Sequence, residues 1–511
     1  MRIAAADDRV DLAALEPLLV QGAVEHWHFA SAVLLLMTVC AYGVVVRARS
    51  GMGPLAAWHT LRHGVATSTN WALNRLLCWL GVLLLLMAGA SGALMFYAPG
   101  LAPERAVARL HHWLAWSFPV FLLIHVSGQW LLGGLRQLLK ILLPHRAHGR
   151  AAVTGGILAA VAGLAGWQVD QAMIPELSLV RVESAPDLDG VPEDPLWSLA
   201  LPVAVHTVRG ANLRGGESEV RVRGVHHDEH AYLLFEWEDP NRSHKFLPLQ
   251  KTAMGWKLLQ TSNGNHDENT YYEDKFAVML SRTARVGGDS IHLGPHPLEN
   301  RPGSPNGRGL HYVQNGDVVD VWHWKGTRTA DLGQLDDNHF GPPRAPPADT
   351  QQRYTGGYTQ DPGTSGGFEQ NWVEVEGSTD MVLPRRLPKD LAALHARIGP
   401  IDANPEASDR HALAMAIADT VPYEPELDTC PIGTILPSIL LIAPFSGDRG
   451  DVAALASWKD GWWRLEVRRA LDTGSRFDLP IGSGIYLWVS VFDRSQIRHT
   501  RHLRPVRLVL D

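Results

Sequence analysis

The chain has 511 residues, a formal net charge of −7 and three cysteines. A chain of this length exceeds what one hydrophobic core usually serves, so we expect more than one domain. The negative charge argues against a nucleic-acid partner. The lack of a C-x-x-C-H sequence excludes covalent attachment of a c-type haem, and no cluster with zinc-ligand spacing occurs.

The two parts of the chain differ in composition. Residues 1–170 are rich in Leu, Ala, Val and Trp and hold few acidic residues after Glu25, whereas residues 176–511 are polar and rich in Gly, Pro, Asp and Arg. We therefore predict an N-terminal tail (1–24), a membrane domain (25–170), a linker (171–195) and a second, soluble domain (196–511).

Four apolar runs, 27–46, 76–96, 110–132 and 152–167, predict four transmembrane helices in an all-α bundle. The loops after the first and third runs carry Arg and Lys without acidic residues, which predicts that both are cytoplasmic. The N-terminus and the C-terminal domain are then expected on the opposite side, which is the periplasm in a Gram-negative bacterium. We find no signal peptide pattern, so the spans themselves are expected to direct this multi-pass protein to the inner membrane.

Histidines inside the third apolar run suggest a function, because ionisable side chains within a membrane span are energetically unfavourable. A spacing of fourteen residues separates His111 from His125, which returns a helix to within about 40° with a rise of about 21 Å. Two imidazoles on one face, each aimed into a bundle, suit two stacked haems. The alternative is interfacial histidines plus one that hydrogen-bonds across helices.

Each of these histidines has a candidate partner near the same membrane face. His28 opens the first run at the level of His111, and His63 precedes the second run at the level of His125. Iron held by two neutral imidazoles is coordinatively closed, which suits electron transfer. The alternative for His63 is a solvated loop residue beside arginines.

The E-H-W-H sequence at 25–28 and the H-H-W…H pattern beginning at His111 resemble the bacterial di-haem cytochrome b family, the membrane anchors of nickel hydrogenases and formate dehydrogenases. The resemblance covers about residues 20–170. It implies four helices, two b haems and electron exchange between a quinone pool and a partner on the outer face. Unlike that family, the second run contains no histidine, which leaves the second ligand of the inner haem open.

The second domain has a strand-like pattern. Residues 220–240 alternate around a turn and predict a hairpin, and further β-branched or aromatic runs predict strands near 276–281, 318–325, 462–469, 485–493 and 506–510. One helical passage is predicted around 391–397 and again around 411–418. Many strands with Gly and Pro turns favour a β-sandwich with long loop insertions.

Four sequence runs, at 236–240, 273–280, 319–326 and 458–499, resemble the haem-binding domain related to the gamma subunit of ethylbenzene and dimethylsulfide dehydrogenases. The resemblance covers about residues 196–509. It implies an immunoglobulin-like sandwich that holds one b haem between a methionine and a basic residue near the C-terminus.

The ligands implied by this resemblance are only partly present. No methionine occurs between Met279 and Trp322, so His292 and His311 become candidates for one axial position, and His499, with His502 behind it, for the other. The alternative is that these are solvated loop histidines. The strand at 319–325 is predicted to turn both of its tryptophans into the core, and its final lysine is a candidate partner for a haem propionate.

The sequence therefore predicts a membrane-bound multihaem b-type cytochrome with two haems in the membrane and one in the C-terminal domain. The iron-ligand candidates are His28, His111, His125 and His499. Its expected partners are quinone or quinol, membrane lipid, and a periplasmic redox protein or oxidoreductase subunit. The alternative is a di-haem cytochrome whose haem-free sandwich docks an enzyme or binds a ligand. No nucleophile–base pair or phosphate-binding loop occurs, which favours an electron-transfer protein over a self-contained enzyme.

Overall fold

The computed structural model describes residues 28–35, 37, 54–63, 66–98, 101–142, 149–191, 194–261, 267–284, 313, 317–342, 357–378 and 381–511. The chain divides into two compact units, one helical and within Val24–Met173, the other containing all the described strands and within Ile174–Asp511.

The helical unit contains helical residues at 28–35 and 37 and four longer elements. These are α1 (Pro54–His63), α2 (Ala66–Tyr97), α3 (Glu104–Leu142) and α4 (Gly149–Ala172). The last turns of α3 follow a break at Gly134, whose φ is +57°.

Among the described residues, three helical segments are long and apolar enough to cross a membrane: Trp71–Tyr97, Ala106–Arg136 and Val153–Ala172. They correspond to the predicted runs 76–96, 110–132 and 152–167. Most of the first predicted run, 27–46, lies outside the described residues, so the four-helix bundle is not confirmed.

Polar side chains make contacts between the helices of this unit, while many apolar side chains are exposed. Gln129 of α3 is buried and donates to Asn74 of α2 at 2.7 Å. The Tyr97 hydroxyl of α2 donates to the Gly166 carbonyl of α4 at 3.4 Å. By contrast Leu131 is 84% exposed. This inside-out distribution is expected of helices in lipid, because interhelical hydrogen bonds satisfy polar groups that lipid cannot.

The described residues of the second unit form one short α-helix, α5 (Leu391–Ile398), and the following strands. They are β1 (Glu176–Arg181), β2 (Val203–Thr207), β3 (Ser218–His227), β4 (His230–Glu238), β5 (Leu249–Thr252), β6 (Gly255–Leu258), β7 (Lys275–Ser281), β8 (Val319–Lys325), β9 (Asp336–Phe340), β10 (Tyr358–Gln360), β11 (Gly363–Gln370), β12 (Trp372–Glu374), β13 (Met381–Pro384), β14 (Arg386–Pro388), β15 (Met415–Ala416), β16 (Thr420–Pro422), β17 (Ile435–Leu436), β18 (Ile439–Gly447), β19 (Ala453–Lys459), β20 (Trp462–Ala470), β21 (Tyr486–Phe492) and β22 (Val506–Leu510).

Most of these strands belong to one curled twelve-stranded sheet in the order β10-β9-β8-β7-β21-β22-β1-β3-β4-β20-β19, with β2 paired to β3. Strand β1 joins its two antiparallel halves, because it pairs in parallel with β22 on one side and with β3 on the other. The immunoglobulin-like topology expected from the resemblance is therefore not confirmed. Three smaller sheets have the strand orders β12-β13-β6-β5-β17, β11-β18-β15 and β14-β16.

The two halves of the large sheet enclose a common core. Phe235 and Trp237 of β4 contact Phe276 of β7, with ring centroids 5.0 and 4.6 Å apart. Trp322 and Trp324 of β8 are 0% and 1% exposed and belong to the same core. Their predicted burial is confirmed.

The hairpin predicted at 220–240 is β3–β4, and the predicted helix at 391–397 is α5. The helical prediction for 411–418 is wrong. Met415 and Ala416 form strand β15, which pairs in parallel with β18, and Ile417–Asp419 form a single tight turn. A long-range pairing partner here overrides a local pattern that permitted a helix.

Candidate functional site

His111 of α3 lies against α2 in a defined orientation. Its Nδ1 is 3.1 Å from the Ala88 carbonyl oxygen and 3.0 Å from Ser91 Oγ. A carbonyl oxygen can only accept, so Nδ1 carries the proton and Nε2 keeps its lone pair. Gly92 provides the space, because a Cβ at that position would lie 3.2 Å from His111 Cε1.

The structure brings His28 and His111 together. Their ring centroids are 6.1 Å apart and the rings are nearly perpendicular, at 76°. Next to this pair, Phe29 packs on Phe96 of α2 with centroids 4.6 Å apart. The two imidazoles thus lie in an aromatic environment at one end of the helices.

His125 lies on α3 with a different set of neighbours. Its ring stacks on Phe121, with centroids 5.5 Å apart at 20°, and its Nδ1 is buried without a hydrogen-bond partner among the described residues. Phe121 in turn lies over Gly81 of α2, where a Cβ would be 2.2 Å from the Phe121 Cζ.

His63, the predicted partner of His125, is exposed at the end of α1. Its ring packs on His59, with centroids 4.9 Å apart. Among the described residues it has no ring contact with His125. The second ligand of an inner haem thus stays open.

A further pair of histidines lies on the outer face of the large sheet, defined here as the side of β7, β8 and β21 turned away from the core. Side chains alternate along β8, so His323 lies on this face while both tryptophans lie in the core. Phe492 of β21 contacts both His323 and His499, with ring centroids 5.3 and 4.8 Å apart, respectively. Lys275 of β7 places its Nζ 4.0 Å from the Phe492 centroid.

His323 has a ring nitrogen that makes no hydrogen bond to the described residues. Its Nε2 is buried and has no hydrogen-bond partner among the described residues. Burial, reinforced by the nearby charges of Lys325 and Lys275, holds the pKa of His323 well below its ordinary value. The imidazole is therefore neutral at physiological pH, the form that ligates iron. The strand pattern had indicated only that His323 faces away from the core.

His499 and His502 use their ring nitrogens differently. His499 is exposed, and its Nδ1 lies 2.7 Å from the Thr500 carbonyl oxygen, so Nδ1 donates and Nε2 keeps its lone pair. His502 is buried. Its Nε2 accepts from the Val489 amide at 2.9 Å and its Nδ1 donates to the Arg504 carbonyl at 2.5 Å. Both nitrogens of His502 are thus engaged, which leaves His499 as the C-terminal ligand candidate.

Lys325 does not face an open surface. It is 5% exposed and forms an ion pair with Asp336, which also accepts from Arg449 at 2.6 Å. Burial lowers the pKa of Lys325 to about 8, although Asp336 opposes this shift. Its ammonium group is therefore engaged within the domain. His292 and His311 lie outside the described residues.

The chain is therefore a protein in which helices long and apolar enough to span a bilayer precede a large all-β domain, which is consistent with a membrane protein. More specifically, the chain belongs to the ethylbenzene dehydrogenase family, which matches residues 194–504. The match confirms the C-terminal resemblance drawn from the sequence. It does not extend to the helical unit, so the relation to di-haem cytochromes b stays a prediction.

Solved structures similar to this chain include a family 9 carbohydrate-binding module from Caldicellulosiruptor kristjanssonii. Its complex with glucose shows 9% identity and a TM-score of 0.23, covering 66% of this chain and 95% of that chain. Its complex with cellotriose shows 10% identity and a TM-score of 0.22, covering 66% and 93%. The comparison with curated proteins finds no match.

Proposed function

We propose that this protein is a membrane-bound multihaem b-type cytochrome that transfers electrons between a quinone pool and a periplasmic redox partner. Two b haems would lie in the helical unit and one on the outer face of the β domain. Family membership relates the chain to an oxidoreductase complex. A b haem with two imidazole ligands changes oxidation state without binding a further ligand.

One observation supports this proposal in both units. His111 and His499 each direct Nδ1 to a backbone carbonyl oxygen, at 3.1 and 2.7 Å. This hydrogen bond fixes the tautomer, orients the ring and leaves Nε2 for a metal. His502 also directs its Nδ1 to a backbone carbonyl oxygen, but its Nε2 accepts from the Val489 amide, so this second nitrogen is not left for a metal.

The neighbouring residues support a bound planar group in each place. His28 supplies a second imidazole beside His111. Gly92 keeps the space next to that ring open, because any larger residue would place its Cβ against it. On the outer face, the unpartnered Nε2 of His323 lies near the exposed His499, and Phe492 contacts both rings. These side chains hold and orient, while the redox chemistry belongs to the cofactor.

The haem content of the full-length protein, purified in detergent and measured as the pyridine haemochrome, tests the proposal. We expect three b haems per chain. Two would favour the alternative in which the β domain is haem-free and docks a partner enzyme. Fewer than two would refute paired imidazoles in the helices.

Single substitutions locate each haem. His111→Ala should lower the content by one, while the adjacent His112→Ala should leave it unchanged. His499→Ala should remove the haem of the β domain, with His395→Ala on α5 as its control. His111→Met should retain a haem of higher potential, because a thioether ligand favours the reduced iron. Unchanged spectra in both His111 variants would contradict ligation by that residue.

A further inference from the structure

Carboxyl–carboxyl contacts link five aspartates from five separate segments of the β domain. This aspartate cluster consists of Asp320 of β8, Asp337 of β9, Asp361 after β10, Asp451 before β19, and Asp478 in the loop between β20 and β21. Carboxylate oxygens of Asp320, Asp337 and Asp478 all lie within 4.8 Å of one another. These three residues are 0%, 0% and 5% exposed.

The strand register explains how the first two residues come together. Asp320 pairs with His339 and Trp322 pairs with Asp337 across β8 and β9. Alternation then places Asp320 and Asp337 on the same side as Trp322, the side that faces the core. The backbone amide of Leu479 donates to Asp320 at 3.2 Å, which holds the loop of Asp478 beside them.

A second observation lies outside this first group of three. Asp361 is 2% exposed and contacts the carboxyl group of Asp478, and its Oδ2 has no hydrogen-bond partner among the described residues. Asp451 contacts the carboxyl groups of Asp337 and Asp478, and its buried Oδ1 has no such partner either. Asp320, Asp337 and Asp478 each also have one buried carboxylate oxygen without a hydrogen-bond partner among the described residues. Each of the five carboxyl groups thus has one buried oxygen without a donor among the described residues.

The protein supplies little positive charge to this place. Arg469 is ion-paired with Asp320 at 3.2 Å and with Asp478 at 3.0 Å. His339 contacts Asp361 at 2.5 Å. Five carboxyl groups therefore face one guanidinium and one imidazole in the described part of the chain. Buried carboxylates without compensation must retain protons or bind a cation. In the metal-free state burial raises the pKa of Asp320 to about 8 and that of Asp451 to about 7.

We propose that the aspartate cluster binds one Ca²⁺ ion, which cross-links the ends of five segments of the β domain. Its donors are all carboxylate oxygens, the ligands Ca²⁺ prefers, and Ca²⁺ accepts six to eight of them in a flexible geometry. Oxygens at about 2.4 Å from one ion lie at most about 4.8 Å apart, and the oxygens of Asp320, Asp337 and Asp478 meet this condition. Zn²⁺ favours nitrogen and sulfur ligands, and Mg²⁺ keeps several of its own waters, whereas this cluster offers five carboxyl groups.

A second buried group, Asp239, Asp274 and Asp493, provides an internal comparison. Asp274 accepts hydrogen bonds from the amides of Ser243 and Arg494, and also from the Trp463 indole nitrogen. Protein donors already satisfy the central carboxylate of that group. The site we assign to Ca²⁺ is therefore the aspartate cluster and not this one.

The test uses full-length protein in detergent. Elemental analysis after removal of loosely bound metal should give one calcium per chain. Exhaustive treatment with EGTA should lower the melting temperature of the β domain. Tryptophan fluorescence measures this temperature. CaCl₂ at about a hundred times its dissociation constant should restore it by about 5 °C, whereas equal MgCl₂ should not.

Substitutions distinguish the cluster from other acidic groups. Asp337→Asn should weaken Ca²⁺ binding about tenfold or more. Asp451 is only half-buried, and Asp451→Asn should weaken binding by a similar factor. Asp239→Asn in the comparison group and Asp472→Asn in the same loop as Asp478 should leave it unchanged.

A luminescence experiment on the unmodified chain does not depend on variants that fold. Terbium should give emission sensitised by tryptophan, because the Trp322 ring lies 5.3 Å from the guanidinium of Arg469, and CaCl₂ should displace it. Absence of calcium and of displaceable terbium emission would overturn the proposal. So would binding that survives Asp337→Asn and Asp451→Asn, or that disappears in Asp239→Asn. None of these outcomes depends on the haem content.

Discussion

Replacing Glu466 by alanine should detach the segment before β2 from the outer side of β20. Glu466 is completely buried. Its Oε1 accepts from the Trp197 indole nitrogen at 2.9 Å, and its Oε2 accepts from the Gly190 amide at 2.8 Å and the Asp189 amide at 3.3 Å. One carboxylate thus holds three donors of a segment that has little regular structure of its own.

The magnitude follows from the donors that alanine would leave unpaired. Trp197 and Gly190 are both buried, and each buried unpaired donor costs about 1–3 kcal/mol. We therefore expect Glu466→Ala to lower the free energy of unfolding by about 4 kcal/mol. Glu466→Gln keeps one carbonyl oxygen as an acceptor and should lower it by about half as much.

Denaturant unfolding of the full chain in detergent, followed by tryptophan fluorescence, measures this loss. Limited proteolysis between residues 183 and 195 should also become faster in Glu466→Ala. The exposed Glu238 on the neighbouring β4 is the control, and its replacement by alanine should change the stability by less than about 0.5 kcal/mol. A loss below about 1 kcal/mol in Glu466→Ala would refute the reasoning.

Two further predictions concern pH and helix packing. In the presence of EGTA, stability should fall between pH 6.5 and 8, because burial raises the pKa of Asp320 to about 8 and the folded state then retains a proton that the unfolded state has released. Equilibrium unfolding against pH should give a slope of up to about 1.4 kcal/mol per unit that Asp320→Asn reduces, and a flat wild-type profile would contradict this. In the helical unit, Gly81→Ala would place a Cβ 2.2 Å from the Phe121 Cζ, so that ring must move by about 1 Å and release its stacking on His125. Thermal denaturation should show a lower midpoint than for Gly89→Ala, whose Cβ meets no described atom within 4 Å, and equal midpoints would count against this packing.

The sequence by itself determined the local elements of both units. Apolar runs predicted three helices that the structure contains, because a span must keep its backbone hydrogen bonds internal and its side chains apolar. Alternation around a turn predicted β3–β4, and it placed Trp322 and Trp324 in the core, because side chains on a strand point to opposite faces in turn.

Only the tertiary structure decided the features that join distant segments. Strand β1 pairs with β22, more than 300 residues away, which converts an expected two-sheet sandwich into one curled sheet. Residues His499 and His502 are indistinguishable in sequence, yet backbone partners leave Nε2 available in one and engage both nitrogens in the other. The aspartate cluster likewise draws on five segments with no common motif. Local propensity and periodicity carry no information about such contacts, because they depend on which segments the folded chain brings together.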